Sequence, residues 1–293
     1  MTQTVLVVGA GGQLGQELLR AVGSDVECFG RTRAELDIAD PNAVAACLDQ
    51  LRPAQVVNAA AYTAVDRAES ESAQAYRCNA EGPGVLAAAC AERDVRLLHV
   101  STDFVFDGRS PVPYPPDAAT APLGEYGRSK LAGEIAVRAA LPDTLILRTG
   151  WVYSSFGNNF VRTMLRLMSE RDELTVVADQ VGTPTWAQGL AHALWAAVER
   201  PHLGGIYHWS DAGVCSWYDF AVAICEEANA LGLLQGAVTI RPIPASDYPT
   251  PAQRPAYSVL DKSSSWRDFA LAGTHWREQL RAMLRDYKEL ENG

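Results

Sequence analysis

Tyr126 and Lys130 lie four residues apart in the run Glu125-Tyr126-Gly127-Arg128-Ser129-Lys130. On a helix, positions i and i+4 share one face, which sets a phenol beside an ammonium. A phenol has an ordinary pKa of about 10, too high for easy proton exchange near neutrality. A neighbouring positive charge favours the phenolate and lowers that value. The pair reads as a tuned proton donor. Solvated helices carry many such pairs by accident, so placement carries the weight. Here the pair follows an apolar strand over residues 96–100 that runs into Ser101-Thr102-Asp103. That is the carboxyl end of a strand, where open α/β sheets bind ligands. A hydroxyl there can bond a substrate carbonyl and hold it against Tyr126. Ser101 and Thr102 both offer one, and spacing does not choose between them. An ordinary turn is the bland alternative.

A proton donor of this kind needs a hydride source. Gly9-Ala10-Gly11-Gly12-Gln13-Leu14-Gly15 follows an all-apolar strand, residues 5–8, and opens a helix over residues 13–21. Glycines at positions 9, 12 and 15 permit a tight turn and let backbone N–H groups approach a diphosphate at the positive helix end. The combination suggests a carbonyl reductase that uses a nicotinamide dinucleotide. At the end of the second strand, an NAD site usually carries an acid for the ribose hydroxyls. This chain reads Phe29-Gly30-Arg31-Thr32-Arg33 instead. Two guanidinium groups suit a 2′-phosphate, so NADPH is the expected cofactor; use of NADH as well, with the arginines merely solvated, stays open. Asp37 and Ile38 are placed to flank the adenine. Ala59-Ala60-Ala61 offers small side chains where the nicotinamide half would pass close to the backbone.

The elements that must position these groups can be read from periodicity. Strands at 5–8, 26–29, 55–58, 96–100 and 145–148 alternate with helical patterns at 13–21, within 34–51, and at 73–93. Gly82-Pro83-Gly84 should kink or restart the last of these. The alternation calls for an α/β fold with a doubly wound parallel sheet of Rossmann type over residues 1–152. Residues 153–293 read mainly as a smaller substrate-binding cap, with some segments free to return to the first unit. Helices are expected there at 160–171, 188–198, 218–231 and 276–290, and a largely looped stretch at 241–257, which holds five prolines.

Composition limits the function. The 293 residues are 48% hydrophobic and 20% charged, ordinary for a soluble globular protein, with a net charge of −10. An acidic surface argues against nucleic acid or an anionic membrane as partner. No apolar run approaches the roughly 20 residues that cross a bilayer. The start, Met1-Thr2-Gln3-Thr4, enters a strand without a basic region or cleavage site. The six cysteines are scattered, fitting neither zinc nor a disulfide framework. A cytoplasmic enzyme is expected.

Several blocks make the chain similar to the dTDP-4-dehydrorhamnose reductase family, within the extended short-chain dehydrogenase/reductase superfamily. They are Val57-Asn58-Ala59-Ala60-Ala61-Tyr62-Thr63-Ala64-Val65-Asp66, Ser101-Thr102-Asp103-Phe104-Val105-Phe106 and Tyr126-Gly127-Arg128-Ser129-Lys130. Arg148-Thr149-Gly150-Trp151-Val152-Tyr153, Gly157-Asn158-Asn159-Phe160 and Tyr248-Pro249-Thr250-Pro251-Ala252-Gln253-Arg254-Pro255 extend the likeness across the cap. The resemblance implies a hydride passed to C4 of a dTDP-linked 4-keto-6-deoxy sugar, dTDP-4-dehydro-L-rhamnose. It implies Tyr126 as proton donor, Lys130 on the nicotinamide ribose, and Thr102 rather than Ser101 assisting the tyrosine. Gly9, Gly12, Gln13, Leu14, Gly15, Arg31, Asp37, Ile38 and the loop Ala59, Ala60, Ala61, Tyr62, Thr63 would hold the cofactor. Thr102, Asp103, Trp151, Asn158 and Arg254 would meet the substrate. For Asn158 the alternative is a helix cap, and for Arg254 a fork to an internal carboxylate. Some members form dimers bridged by Mg²⁺ through glutamates. Glu17 matches one such place, but Gln188 stands at the other, and a neutral amide is a poor ligand for a hard cation. No metal is expected, and the chain is expected to be a monomer or homodimer. Relatives on this scaffold include a non-catalytic regulatory subunit and NAD-retaining epimerases and dehydratases; the intact Thr102, Tyr126 and Lys130 favour a reductase.

Overall fold

A computed structural model describes residues 3–236 and 238–292; Met1 and Thr2, where the N-terminal reading begins, lie outside them. The first half alternates strand and helix. In order come β1 (Gln3–Val8), α1 (Gln13–Arg20), β2 (Val26–Arg31), α2 (Pro41–Leu51), β3 (Gln55–Asn58), α3 (Val65–Ala68) and α4 (Ser72–Tyr76). A π-helical turn (Arg77–Glu81) leads to α5 (Gly82–Ala91), β4 (Arg96–Thr102), a 3₁₀ turn (Asp103–Val105), α6 (Glu125–Ala140) and β5 (Leu145–Thr149). The expected kink at Gly82-Pro83-Gly84 is therefore a π turn just before it. Pro83 has no N–H to give the preceding turn, and the widened turn absorbs the lost bond. Asp40 starts α2 by accepting from the N–H groups of Asn42 at 2.9 Å and Ala43 at 3.2 Å, with Pro41 in the first turn.

The second half holds β6 (Val152–Tyr153), α7 (Phe160–Glu170), β7 (Glu173–Val177), β8 (Val181–Gly182), β9 (Thr185–Trp186), α8 (Ala187–Val198), β10 (Gly205–His208), β11 (Cys215–Ser216) and α9 (Trp217–Ala230). It ends with β12 (Thr239–Ile243), α10 (Ser263–Asp268) and α11 (Trp276–Asn292). The four helices expected here match α7, α8, α9 and α11 to within two residues. Residues 241–243 are a correction: they pair with β7 as part of β12, although Pro242 lies among them. In a two-stranded ladder each strand is an edge, so a residue without an N–H is tolerated.

The main sheet runs β10-β5-β4-β3-β1-β2, and each pairing is parallel. Alternate side chains of β1 explain the helices on both faces. Val5 and Val7 pack with Leu14 and Leu18 of α1 and with Leu190 and Leu194 of α8. Leu6 and Val8 face Val44, Leu48 and Leu86 on the other side. The sixth strand and α8 come from the second half of the chain, a return that the apolar pattern of residues 205–208 is too short to announce. A separate core, with Tyr153, Val161, Met164, Phe220, Ile224, Leu280 and Met283, holds α7, α9 and α11 together. No helix among the described residues is long and apolar enough to cross a membrane.

Candidate active site

The strand order reverses direction between β1 and β3, and a cavity of about 400 Å³ opens at their carboxyl ends. Gly9, Gly12, Ala59, Ala60, Ala61, Asp37 and Ile38 line it, together with Thr32, Arg33 and Cys78. Gly9 has φ +82°, and a Cβ there would lie 2.5 Å from the Ala60 nitrogen. A Cβ on Gly15 would come within 2.2 Å of the Gly9 carbonyl oxygen. These two glycines are demanded by the protein's own backbone. Gly12 starts α1 without a side-chain cap, which leaves that helix end open to an anion. This cradle fits a dinucleotide. Leu14 is buried beneath it, while Gln13 accepts from Asn159 Nδ2 at 3.0 Å and so ties the turn to the cap. Tyr62 continues the loop, its backbone clamped by the Asn79 amide at 2.8 and 3.0 Å, and Thr63 is exposed.

The two arginines after β2 separate. Arg31 turns back on the Gly30 carbonyl at 2.9 Å, and it is Arg33 that lines the cavity. Asp37 pairs with Arg77 at 2.7 Å, which holds its carboxyl below the usual range.

Thr102 ends β4, and Tyr126 and Lys130 project from the first turns of α6. Ser101 is buried and donates to Glu134 Oε1 at 2.5 Å. Thr102 instead stands next to the Tyr126 phenol. Its hydroxyl donates to Asp103 Oδ1 at 3.0 Å, accepts from the Phe104 N–H at 3.2 Å and interacts with the Tyr126 phenol. Phe104 sets its ring edge against Tyr126, centroids 5.4 Å apart. Gly127 lets α6 approach, since a Cβ there would strike the Phe104 carbonyl oxygen at 2.3 Å.

The expected lowering of the phenol by Lys130 is not found. Burial pushes Tyr126 up to about 12; the Thr102 hydroxyl draws it down and the Asp103 carboxylate raises it. Lys130 is buried, donates to the Val100 carbonyl at 2.7 Å and is pulled down to about 8. Asp103 is nearly inaccessible, and burial raises its carboxyl to about 6 against the Ser258 and Thr102 hydroxyls. Its Oδ2 is buried with no hydrogen-bond partner among the described residues. A buried ion pair fixes α6 against the sheet. Arg148 of β5 grips Glu134 with Nε–Oε1 2.9 Å and Nη2–Oε2 2.7 Å, both side chains 3% exposed.

A second cavity, about 620 Å³, lies in the cap, lined by Phe160, Met164, Val176, Trp217, Tyr248, Thr250 and Arg254 among others. Trp151 stacks flat on Trp217 at 3.5 Å, over Gly182, where any Cβ would collide with its indole. Its φ of +51° is left-handed, a strain of about 1–2 kcal/mol for a bulky residue. Arg254 forks onto Asp66 at 2.9 and 2.7 Å. The internal carboxylate is thus its partner in this structure. Asn158 is exposed and lines a different cavity with Arg162 and Tyr287, while Asn159 caps α7. Trp217, Thr250, Ser258, Asn79 and Asp66 reach these surroundings through tertiary contacts, and only Thr250 and Asp66 fall inside the motif blocks that carry the resemblance. Glu17 is buried and accepts from Ser154 Oγ at 2.7 Å, and among the described residues no three acidic, histidine or cysteine side chains cluster to hold a metal.

The family model described as RmlD substrate binding domain matches residues 3–289. A dTDP-4-dehydrorhamnose reductase of Burkholderia thailandensis is 44% identical over 292 residues, covering 96% of this chain and 98% of the relative. One from Aggregatibacter actinomycetemcomitans is 41% identical, covering 97% and 99%. The crystal structure of a dTDP-4-dehydrorhamnose reductase from Bacillus anthracis in complex with NADP superposes with a TM-score of 0.91 at 35% identity, over 98% of this chain and 100% of that one. With a glycine cradle at the sheet's switch point and a buried Thr-Tyr-Lys group at the carboxyl end of β4, this chain belongs to the dTDP-4-dehydrorhamnose reductase family of oxidoreductases.

Proposed function

We propose that the protein reduces the C4 keto group of dTDP-4-dehydro-L-rhamnose to dTDP-L-rhamnose with NADPH, Tyr126 giving the proton. The observation that carries the reading is the buried group at the end of β4: Thr102 reaching the phenol, and Lys130 one turn along the same helix. When bound, NADPH supplies the hydride. A phenol at about 12 is protonated throughout the neutral range, so it is loaded as a donor. The alkoxide left by hydride addition is a far stronger base than a phenolate, so the transfer runs downhill. Thr102 orients the phenol, and Lys130, held by the Val100 carbonyl, would bond the nicotinamide ribose.

Gly9, Gly12, Gly15 and the Ala59–Ala61 loop would hold the dinucleotide, with Arg33 near its adenosine end. The cap cavity would take the dTDP handle, its aromatic and apolar walls against the base and Arg254 toward the diphosphate. The test is to follow NADPH absorbance with purified protein and dTDP- or UDP-linked 4-keto-6-deoxy sugars. Rapid oxidation with the dTDP sugar is expected. Tight NADPH binding without turnover of either sugar would turn the reading toward a binding protein, and faster turnover of the UDP sugar would change the handle.

A further inference from the structure

The single turn α3 meets two parts of the site at once. Within it, Asp66 grips the end of the Arg254 guanidinium, Nη1 to Oδ1 at 2.9 Å and Nη2 to Oδ2 at 2.7 Å, and accepts from the Ala252 N–H at 3.3 Å. Arg254 Nη1 also donates to Thr250 Oγ1 at 2.6 Å and to the Ala252 carbonyl at 3.2 Å. The prolines on either side stiffen this loop, and both Arg254 and Thr250 line the cap cavity. A guanidinium carries five donors in a rigid plane. With its end taken by Asp66, its Nε side makes no hydrogen bond among the described residues. That side presents two parallel N–H groups, the geometry that grips an oxyanion.

Directly after α3, Glu69 Oε1 accepts from the Glu125 N–H at 2.9 Å. This is the first residue of α6, and its preceding Gly124 provides no side-chain cap. A carboxylate there satisfies an orphan donor and complements the positive helix end. One short segment therefore fastens both the cap loop with Arg254 and the helix that carries Tyr126.

We propose that Asp66 is a positioning residue for the substrate's diphosphate. It fixes the fork of Arg254 so that the free Nε side meets the anionic handle at a set distance from Tyr126, with Glu69 setting the helix in the same frame. The proposal rests on the sugar-nucleotide reading above. An ion pair that only fastened the surface would leave substrate affinity alone, and that difference makes the role measurable.

The test titrates dTDP by calorimetry into wild type, Asp66→Asn and Asp66→Glu, each saturated with NADPH, and sets beside it the steady-state constants for the keto sugar. Asn keeps the size but turns one acceptor into a donor facing the guanidinium. Asp66→Asn is expected to weaken dTDP about tenfold or more. The loss should fall on KM for the sugar nucleotide rather than on kcat, with NADPH affinity held, and Asp66→Glu should recover most of it. Wild-type dTDP affinity in Asp66→Asn, with wild-type turnover intact, would overturn the proposal and leave the functional reading standing. A parallel loss of NADPH affinity, kcat and dTDP affinity would overturn it too, by making Asp66 a general fastener. A wild-type protein that neither binds dTDP nor oxidises NADPH would sink the functional reading, and this proposal with it.

Discussion

The two cavities are built by different means. Around the cofactor cleft, backbone does most of the shaping: a left-handed Gly9, a Gly15 with no room for a methyl, a bare helix end, and three alanines at the close of β3. Around the cap cavity, side chains from distant segments do it: Phe160 from α7, Trp217 from α9, and Thr250 and Arg254 from a proline-rich loop. A site made of backbone tolerates almost no change at its glycines. One made of side chains can be retuned residue by residue.

The sharpest way to break this comparison is at Gly9. Alanine there must take φ +82° with its methyl against Ala60, a cost of about 3 kcal/mol, so NADPH affinity should fall about a hundredfold or more. Fluorescence titration with NADPH measures it, and near-normal binding by Gly9→Ala would show that the cleft is not set by backbone contact. Next in size is the ion pair that seats α6. Glu134→Gln leaves Arg148 buried beside a neutral amide and should cost about 3 kcal/mol of stability. Urea unfolding reads this directly, and an unchanged midpoint would mean that the helix is seated by packing alone.

These two effects mark what could be read from the chain. The glycine spacing, the alternating strands of β1 to β5 and the Tyr126–Lys130 face were legible because each is a local pattern with its cause within a few residues. The choice of Thr102 over Ser101 was legible only through resemblance, because what engages Ser101 is Glu134, 33 positions on. What stayed hidden is non-local. β10 is four residues long and joins the sheet only because β5 offers an open edge. Arg254's partner lies 188 positions away, and the Trp151–Trp217 stack joins two segments that no periodicity links. Tyr126's high pKa has no local signal, because burial, a tertiary property, is its main cause.

Two smaller effects sharpen the contrast within the cofactor side. Arg33→Ala should weaken NADPH about tenfold while leaving NADH nearly untouched, and Arg31→Ala should do less, its guanidinium being turned onto Gly30. Equal losses for the two cofactors would remove Arg33 from the 2′-phosphate. The pH profile is milder. Burial lowers Lys130 to about 8, so its ammonium is present below that pH and lost above it. kcat/KM should therefore be level near neutrality and decline through pH 8 to about a tenth at pH 9, for protein that stays folded. A flat profile to pH 10 would place the lysine's ordinary pKa back in force.

The central claim is that one buried tyrosine hydroxyl supplies the proton to the reduced carbonyl. Single-turnover oxidation of bound NADPH by dTDP-4-dehydro-L-rhamnose, compared between wild type and Tyr126→Phe, tests it most directly. A loss of about a hundredfold or more in that rate, with NADPH and dTDP affinities near wild type, is the predicted result. Turnover by the phenylalanine variant at close to the wild-type rate would contradict it.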